Sequence, residues 1–421
     1  SQTAPKFALM NSGWGGWTEL SACDYSYSNS GNTAYLRYDD IYGAWDSSAN
    51  GELAYIKISN YDSISFVSAV MLDVKNSDSG DTDEPVISDV LKKRISLGYN
   101  HSAYINKNSE LYMWGNNESG QLGNGAKTIE SDNLITIVPD DSNENDSGIQ
   151  RFYSYPIKVM DDVSQISLGG DSSACITNNG DLYTWGSNYY GQLGKGSDEK
   201  NSSVPAKIMS GVKQVSMGYC HGACITLNGD LYTWGRNVMG QLGDGTTTDR
   251  NIPHKIMSNV AWVSLGKEHS ACITTNGDLY IWGSNEYGQL GTSSKENSTT
   301  PQKIMSNVSQ VSLGYYHSAC ITKKGDLFAW GNDDGGLPNV DVKTNRYIPV
   351  KIAEKVNQIS LGWGQSSFIS SNSELFDWRF SHSDMSDNGR MITQTLIMSD
   401  VSQVSYGGEH CECITNNDEL Y

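Results

Sequence analysis

The 421-residue sequence contains no apolar run approaching the roughly 18–20 residues of a membrane-spanning helix. Nor does it open with the basic stretch and apolar core of a signal peptide. Positive charge is scarce too: 29 Lys and Arg face 48 Asp and Glu, a formal net charge of −19. Nucleic acids and anionic membrane surfaces are held by clustered Lys and Arg, so both are disfavoured as partners. An acidic surface serves solubility equally well. Helical stretches rich in Leu, Ala, Glu and Lys are absent, whereas Gly (43 residues), Ser, Asn, Asp, Tyr, Val and Ile abound, the composition of an all-β chain. Signatures of catalysis are missing as well. No Gly-Lys-Ser/Thr follows the glycine-rich turns at P-loop spacing, no His-Glu-x-x-His occurs, and Gly170-Asp-Ser-Ser-Ala174 lacks the final glycine of a nucleophile elbow. The expectation is a protein that is not an enzyme, with no catalytic residue, metal or cofactor.

What is present is a repeat. The stretch Ile166 to Gly194 contains Gly169, Cys175, Asn179-Gly180-Asp-Leu-Tyr-Thr-Trp185-Gly186 and Gly191-Gln-Leu-Gly194. Its opening glycine returns at Gly98, Gly169, Gly218, Gly266, Gly314, Gly362 and Gly407, and its tryptophan at Trp114, Trp185, Trp234, Trp282, Trp330 and Trp378. From Trp185 onward the tryptophans are 49, 48, 48 and 48 residues apart, the mark of an array of one supersecondary unit. Within a unit, Val215-Ser-Met is a short strand, and Ala223–Thr226 and Leu231–Trp234 form a hairpin. The turn Leu227-Asn-Gly-Asp230 between them offers Asn-Gly as its positive-φ residues. Pro253-His-Lys-Ile256 is a fourth strand whose proline stands first, where no ladder donor is lost. Four strands in about 40–50 residues make a propeller blade rather than a β-helix rung.

Placing the cysteines and histidines on this repeat removes their apparent chemistry. Five of eight cysteines, Cys175, Cys224, Cys272, Cys320 and Cys413, lie six residues after the glycine, a slot that Tyr104 and Phe368 fill elsewhere. A place shared by Cys, Tyr and Phe is an apolar packing position, and equivalent places in successive units lie too far apart for a disulfide, which needs Cα atoms within about 7 Å. His101, His221, His269, His317 and His410 lie three after the glycine, with Ser172 and Gln365 replacing them. Zinc needs its ligands at one point, so these imidazoles predict a structural hydrogen-bonding role within each blade.

The array starts and stops in mid-unit. Pro85-Val-Ile-Ser-Asp-Val90 matches the last strand of a unit, and Leu420-Tyr421 matches Leu182-Tyr183 just short of a tryptophan. Joining the two in one sheet would close a ring and remove both edges. Residues 85–421 are therefore expected to form the propeller. Residues 1–84, rich in aromatics and with strand-like Leu53–Ser59 and Ser65–Val74, form a β-rich accessory module that either supplies the missing strand or leaves it to chain beyond Tyr421. The interval from Trp114 to Trp185 is 71 residues, which marks an insertion over about 126–155. It combines an acidic run, Asp140 to Gly148, with Ile135, Ile137, Val138, Phe152, Tyr153 and Tyr155. As a calcium loop the run is incomplete, with Asp146 and Phe152 where Gly and Glu belong. Insertions in repeat proteins emerge on one face and contact partners, so Ile135, Ile137, Phe152, Tyr153 and Tyr155 are the candidate binding residues.

Taken together, Gly-x-x-His-Ser-x-(Ala/Cys)-Ile-Thr, Gly-Asp-Leu-Tyr-x-Trp-Gly and Gly-Gln-Leu-Gly resemble the regulator of chromosome condensation repeat over about residues 85–421. The resemblance implies a seven-bladed β-propeller, in agreement with the seven glycines. It also implies, for the founding members, guanine-nucleotide exchange on a small GTPase. The sequence departs from the pattern at Trp378-Arg379 and at Gly335-Gly-Leu-Pro338, and it lacks a basic tail at either end. The leading expectation is a non-enzymatic protein-interaction scaffold. Its composition, rich in Ser, Asn and Tyr and poor in Lys, favours an extracellular or cell-surface location, with a cytoplasmic one as the alternative. The other functional expectations are the exchange factor and glycan binding through Trp14, Trp17 and Trp45, whose rings can stack on sugars.

Overall fold

The computed structural model describes residues 6–10, 17–19, 26–27, 34–35, 55–59, 94–125, 134–137, 150–197, 199–332, 346–380, 392–408 and 410–421. The chain divides into two compact units, one of Ser1–Glu84 with Glu419–Tyr421 and one of Pro85–Asp418. In the first, Lys6–Met10 pairs antiparallel with Trp17–Glu19 on one side and Tyr55–Ser59 on the other. A second pair joins Ser26–Tyr27 to Ala34–Tyr35. The expected strand over Ser65–Val74 lies outside the described residues.

The second unit is a propeller, and no helix occurs among its described residues. Its third blade shows the plan: Val212–Met217, His221–Thr226, Leu231–Gly235 and Arg250–Met257 pair antiparallel in chain order. These strands run longer than the sequence pattern suggested, because pairing extends past the apolar residues that reveal it. In the turn at Gly229 only the glycine is left-handed (φ 79°), so one residue rather than two carries the unusual conformation. Blades of the same order begin at Val163, Val260, Val308 and Val356. The first blade begins at Ile95 and has a fifth strand. Leu134–Ile137 pairs outside Gln150–Met160, so the insertion extends a sheet instead of looping away from it.

Among the described residues six blades are complete, where seven were expected. At the seventh position the described residues form a two-stranded sheet, Val401–Tyr406 with Cys411–Thr415. Pro85–Val90, expected to close that blade, lies outside the described residues. The inner turns nevertheless complete a circle. A Cβ on Gly98, Gly169, Gly218, Gly266, Gly314, Gly362 or Gly407 would lie 2.2–2.7 Å from the carbonyl oxygen of the next ring glycine, and Gly407 meets Gly98. Glycine is required there by space alone, since no other residue lets the backbones approach so closely.

Between blades the packing is apolar and repeated. Trp234, Cys224 and Val215 of the third blade bury against Ala174, Ile176 and Leu182 of the second. Four of the repeat tryptophans also donate from Nε1 to the glutamine carbonyl of the preceding blade: Trp185 to Gln121, Trp234 to Gln192, Trp282 to Gln241 and Trp330 to Gln289, at 2.8–2.9 Å. The cysteines of the packing slot are buried and carry no disulfide. The histidines join blades rather than bracing one. His101, His221, His269, His317 and His410 place Nε2 at 2.8–3.2 Å from Ser173, Ser270, Ser318, Ser366 and Ser102 of the following blade. Burial, as the first cause, pushes the imidazoles of His101, His221 and His269 down to about 3, so they are neutral.

Candidate functional site

The channel mouth is built by the residue that follows each ring glycine. In the inner turn Gly98 N donates to His101 O at 2.8 Å, and Tyr99 N donates to Gly169 O of the next blade at 3.2 Å. The same turn recurs at Gly218 and Gly314, so the side chain after each glycine is brought to the axis. Going round the ring, that slot holds Tyr99, Gly170, Tyr219, Lys267, Tyr315, Trp363 and Gly408.

Four of these side chains meet in a closed circuit. The ring centroids lie 6.1 Å apart for Tyr99 and Tyr219, 5.9 Å for Tyr219 and Tyr315, 4.8 Å for Tyr315 and Trp363, and 5.0 Å for Trp363 and Tyr99. Tyr315 continues to Tyr316, and Tyr316 to Tyr287, each at 4.5 Å, so an aromatic track runs outward over the fourth and fifth blades. The Lys267 ammonium sits 4.1 Å from the Tyr315 centroid and 4.7 Å from that of Tyr316, and donates to the Tyr316 hydroxyl at 2.7 Å. Beneath the rings, Leu97, Leu168, Met217, Leu265, Leu313, Leu361 and Tyr406 wall a cavity of about 110 Å³.

The charged rim comes from the next residue along. Glu268 is paired with Arg236 at 2.8 Å, and the Arg236 guanidinium lies 5.2 Å from the Tyr190 ring centre. Asp171 accepts a hydrogen bond from Gln121 Nε2 at 3.3 Å, and burial, then the nearby Glu118, raises its carboxyl above the usual range. Burial, followed by Tyr315 and Asp171, pushes the Tyr219 hydroxyl up to about 12. Such a surface can stack, accept and donate hydrogen bonds, and bind charge. Among the described residues no group of three His, Cys, Asp or Glu is arranged to hold a metal.

Of the residues expected from sequence to form the site, Ile135, Ile137, Phe152, Tyr153 and Tyr155 fall on the outer strand pair of the first blade, where the Tyr153 and Tyr155 ring centroids lie 6.4 Å apart. Tyr153 is 7% exposed in the core between the first and second blades, and Tyr155 packs against that core. Tyr153 is therefore hidden from a partner, whereas Tyr155 stays partly exposed. Ile135 and Phe152 are register partners in the added strand pair, with Ile137 at its end. Trp17 starts a strand of the first unit, and Trp14 and Trp45 lie outside the described residues. Sequence reasoning missed the aromatic circuit. A signal existed, a slot that varies among blades between a fixed glycine and a nearly fixed histidine, but periodicity does not reveal which equivalent slots touch.

Residues 69–413 match the family model described as RCC1-like domain. Among curated proteins, the Ultraviolet-B receptor UVR8 of Arabidopsis thaliana is 34% identical over 104 residues, 25% of this chain and 19% of that protein. The human E3 ubiquitin-protein ligase HERC2 is 33% identical over 110 residues, 26% of this chain and 2% of that protein. The chain thus spans only a minor part of these relatives. Among solved structures, human WBSCR16 superposes with a TM-score of 0.63 at 20% identity, covering 76% of this chain and 86% of its own. Prp20p from Saccharomyces cerevisiae, described with its binding to Gsp1p and histones, gives 0.59 at 21% identity, covering 75% and 80%. At these identities the structural likeness speaks for the fold.

Proposed function

This chain belongs to the RCC1-like domain family, and from that membership we propose that it is a non-enzymatic protein-interaction module whose partner meets the aromatic channel mouth. One observation carries the reading. The positions that build the blades repeat, whereas the slot after the ring glycine varies and gathers Tyr99, Tyr219, Tyr315 and Trp363 beside Lys267. Tyr and Trp are the residues in which interface energy concentrates. In the proposed arrangement the seventh blade is completed through Pro85–Val90, and residues 1–84 form a separate β-rich module. The test is affinity capture with the full chain and with a Tyr315→Ala, Trp363→Ala double variant. Partners retained by the first and lost by the second are expected, and an unchanged set of partners defeats the reading.

A second reading, guanine-nucleotide exchange on a small GTPase, is supported by the fold shared with Prp20p, described with Gsp1p. Release of labelled GDP from such a GTPase separates the two. The scaffold reading expects no acceleration, and a strong acceleration makes the chain an exchange factor. Export or surface display rests on composition alone and is tested by locating the tagged protein in intact cells. Glycan binding through Trp14, Trp17 and Trp45 is tested by mobility retardation on polysaccharide gels.

A further inference from the structure

The mouth has two chemically different halves. Over the fourth and fifth blades the charges are matched within the chain. The Lys267 ammonium lies against Tyr315 and Tyr316, and Glu268 is paired with Arg236. Over the first three blades the same kinds of group recur with the opposite balance. Tyr99 and Tyr219 meet edge to face at 6.1 Å, and both are partly exposed. Gly170 makes room for this pair, since a Cβ there would lie 3.0 Å from the Tyr219 ring. Asp171 follows directly, half-buried, with the exposed Glu118 near it. No ion pair among the described residues includes Asp171 or Glu118. One half thus holds aromatic rings, carboxylate and ammonium together, while on the other Asp171 and Glu118 make no ion pair among the described residues, Arg236 of the third blade being engaged by Glu268 and the Tyr190 ring.

Building on the protein-interaction reading, we propose that Tyr219, Tyr99, Asp171 and Glu118 receive a Lys or Arg side chain projecting from a basic peptide segment of the partner. Aromatic rings attract such cations through their quadrupole, and the carboxylates add charge and hydrogen-bond acceptors. Lys267 shows the same recognition already made within the chain. A metal ion is a poor fit, because rings are not ligands and only two carboxylates are at hand. An acidic peptide is opposed by those carboxylates and by the net charge of −19, which instead steers basic segments inward.

The test uses end-blocked, fluorescently labelled peptides with four spaced Lys residues, the same peptide with Arg, and counterparts with Gln or Glu, titrated against the full chain and read by anisotropy. The Lys and Arg peptides are expected to bind at least tenfold more tightly than the other two. Asp171→Asn and Tyr219→Leu should each weaken the Lys peptide at least fivefold with an unchanged melting temperature. Asp162→Asn, at the opposite end of its strand, should leave binding unchanged. If Asp171→Asn fails to fold, Glu118→Gln on the exposed rim takes its place, with at least a twofold loss expected. Equal binding of the Gln peptide, no binding of the basic peptides, or equal losses in the Asp162 and Asp171 variants overturns the proposal. Partner capture that still depends on Tyr315 and Trp363 would leave the interaction reading standing while this inference falls.

Discussion

Glu412 shows how one residue can depart from a repeat and mark a place in the molecule. The slot five after the ring glycine is Ala103, Ala174, Ala223, Ala271 and Ala319, with Ser367 in the sixth blade, but Glu412 at the seventh position is 5% exposed. Burial pushes its carboxyl up to about 8 from an ordinary 4.5, opposed by a hydrogen bond with Ser102. Between those values the folded chain keeps a proton that the unfolded chain releases. Stability should therefore fall by about 1.4 kcal/mol per unit as pH rises from about 5 to 8. Glu412→Ala should abolish that slope and melt higher than the parent at pH 8 in thermal scans. The histidines act on the acid side. His101, His221 and His269 are lowered to about 3 and His317 to about 4, chiefly by burial, from 6.5. Their neutral form costs nothing above about pH 6.5, and below it the unfolded chain gains protons that the folded chain refuses. Urea titrations should show stability dropping steeply below pH 6, and His269→Gln, the residue Gln365 provides in the sixth blade, should make the drop shallower by about one proton.

At the scale of the element, the inner turn carries both the ring and the site. Gly266 has no unusual φ, so its requirement is purely spatial: an added Cβ would lie 2.5 Å from Gly314 O and 2.5 Å from the His269 ring. Gly266→Ala should destabilise by about 1–3 kcal/mol, the usual cost of overpacking, measured by urea unfolding. The packing strand has a chemical signature. Cys175, Cys224, Cys272 and Cys320 are buried, whereas Cys411 is exposed. A thiol reagent should modify Cys411 rapidly in the native protein and reach the other four only on unfolding. Fast native labelling of those four would contradict the blade packing. Strand type and order were legible because Val212, Val215, Leu231 and Trp234 recur at fixed spacing. The added strand Leu134–Ile137 was not, since its pairing partner is chosen by an open sheet edge rather than by its own pattern.

At the scale of the whole molecule, the propeller unit closes at a seam that carries its own ion pairs. Where the seventh position meets the first, Arg94 pairs with Asp418, Lys107 reaches Asp418 at 2.9 Å, and Arg94 N donates to Gln403 Oε1 at 3.1 Å. Asp418 holds a left-handed conformation (φ 70°) where the second to fifth blades use glycine and the first and sixth use Ser109 and Ser373, so the ion pair fastens a turn without glycine. Arg94→Gln should make Val401–Tyr406 and Ile95–Leu97 the earliest strands to exchange amide hydrogens, well before Val260–Leu265. Uniform exchange across the blades would show that the seam is no weak point. Sequence alone determined the blade, the number of inner turns and the apolar slots, because each of these is a short-range pattern written again in every unit. Tertiary structure alone decided that Tyr99 and Trp363, 264 positions apart in the numbering, touch at the axis, and that Tyr153 is hidden. The first follows from closure of the ring, which sets equal slots of different blades face to face, and the second from the packing of neighbouring blades, proximities that one-dimensional spacing does not encode.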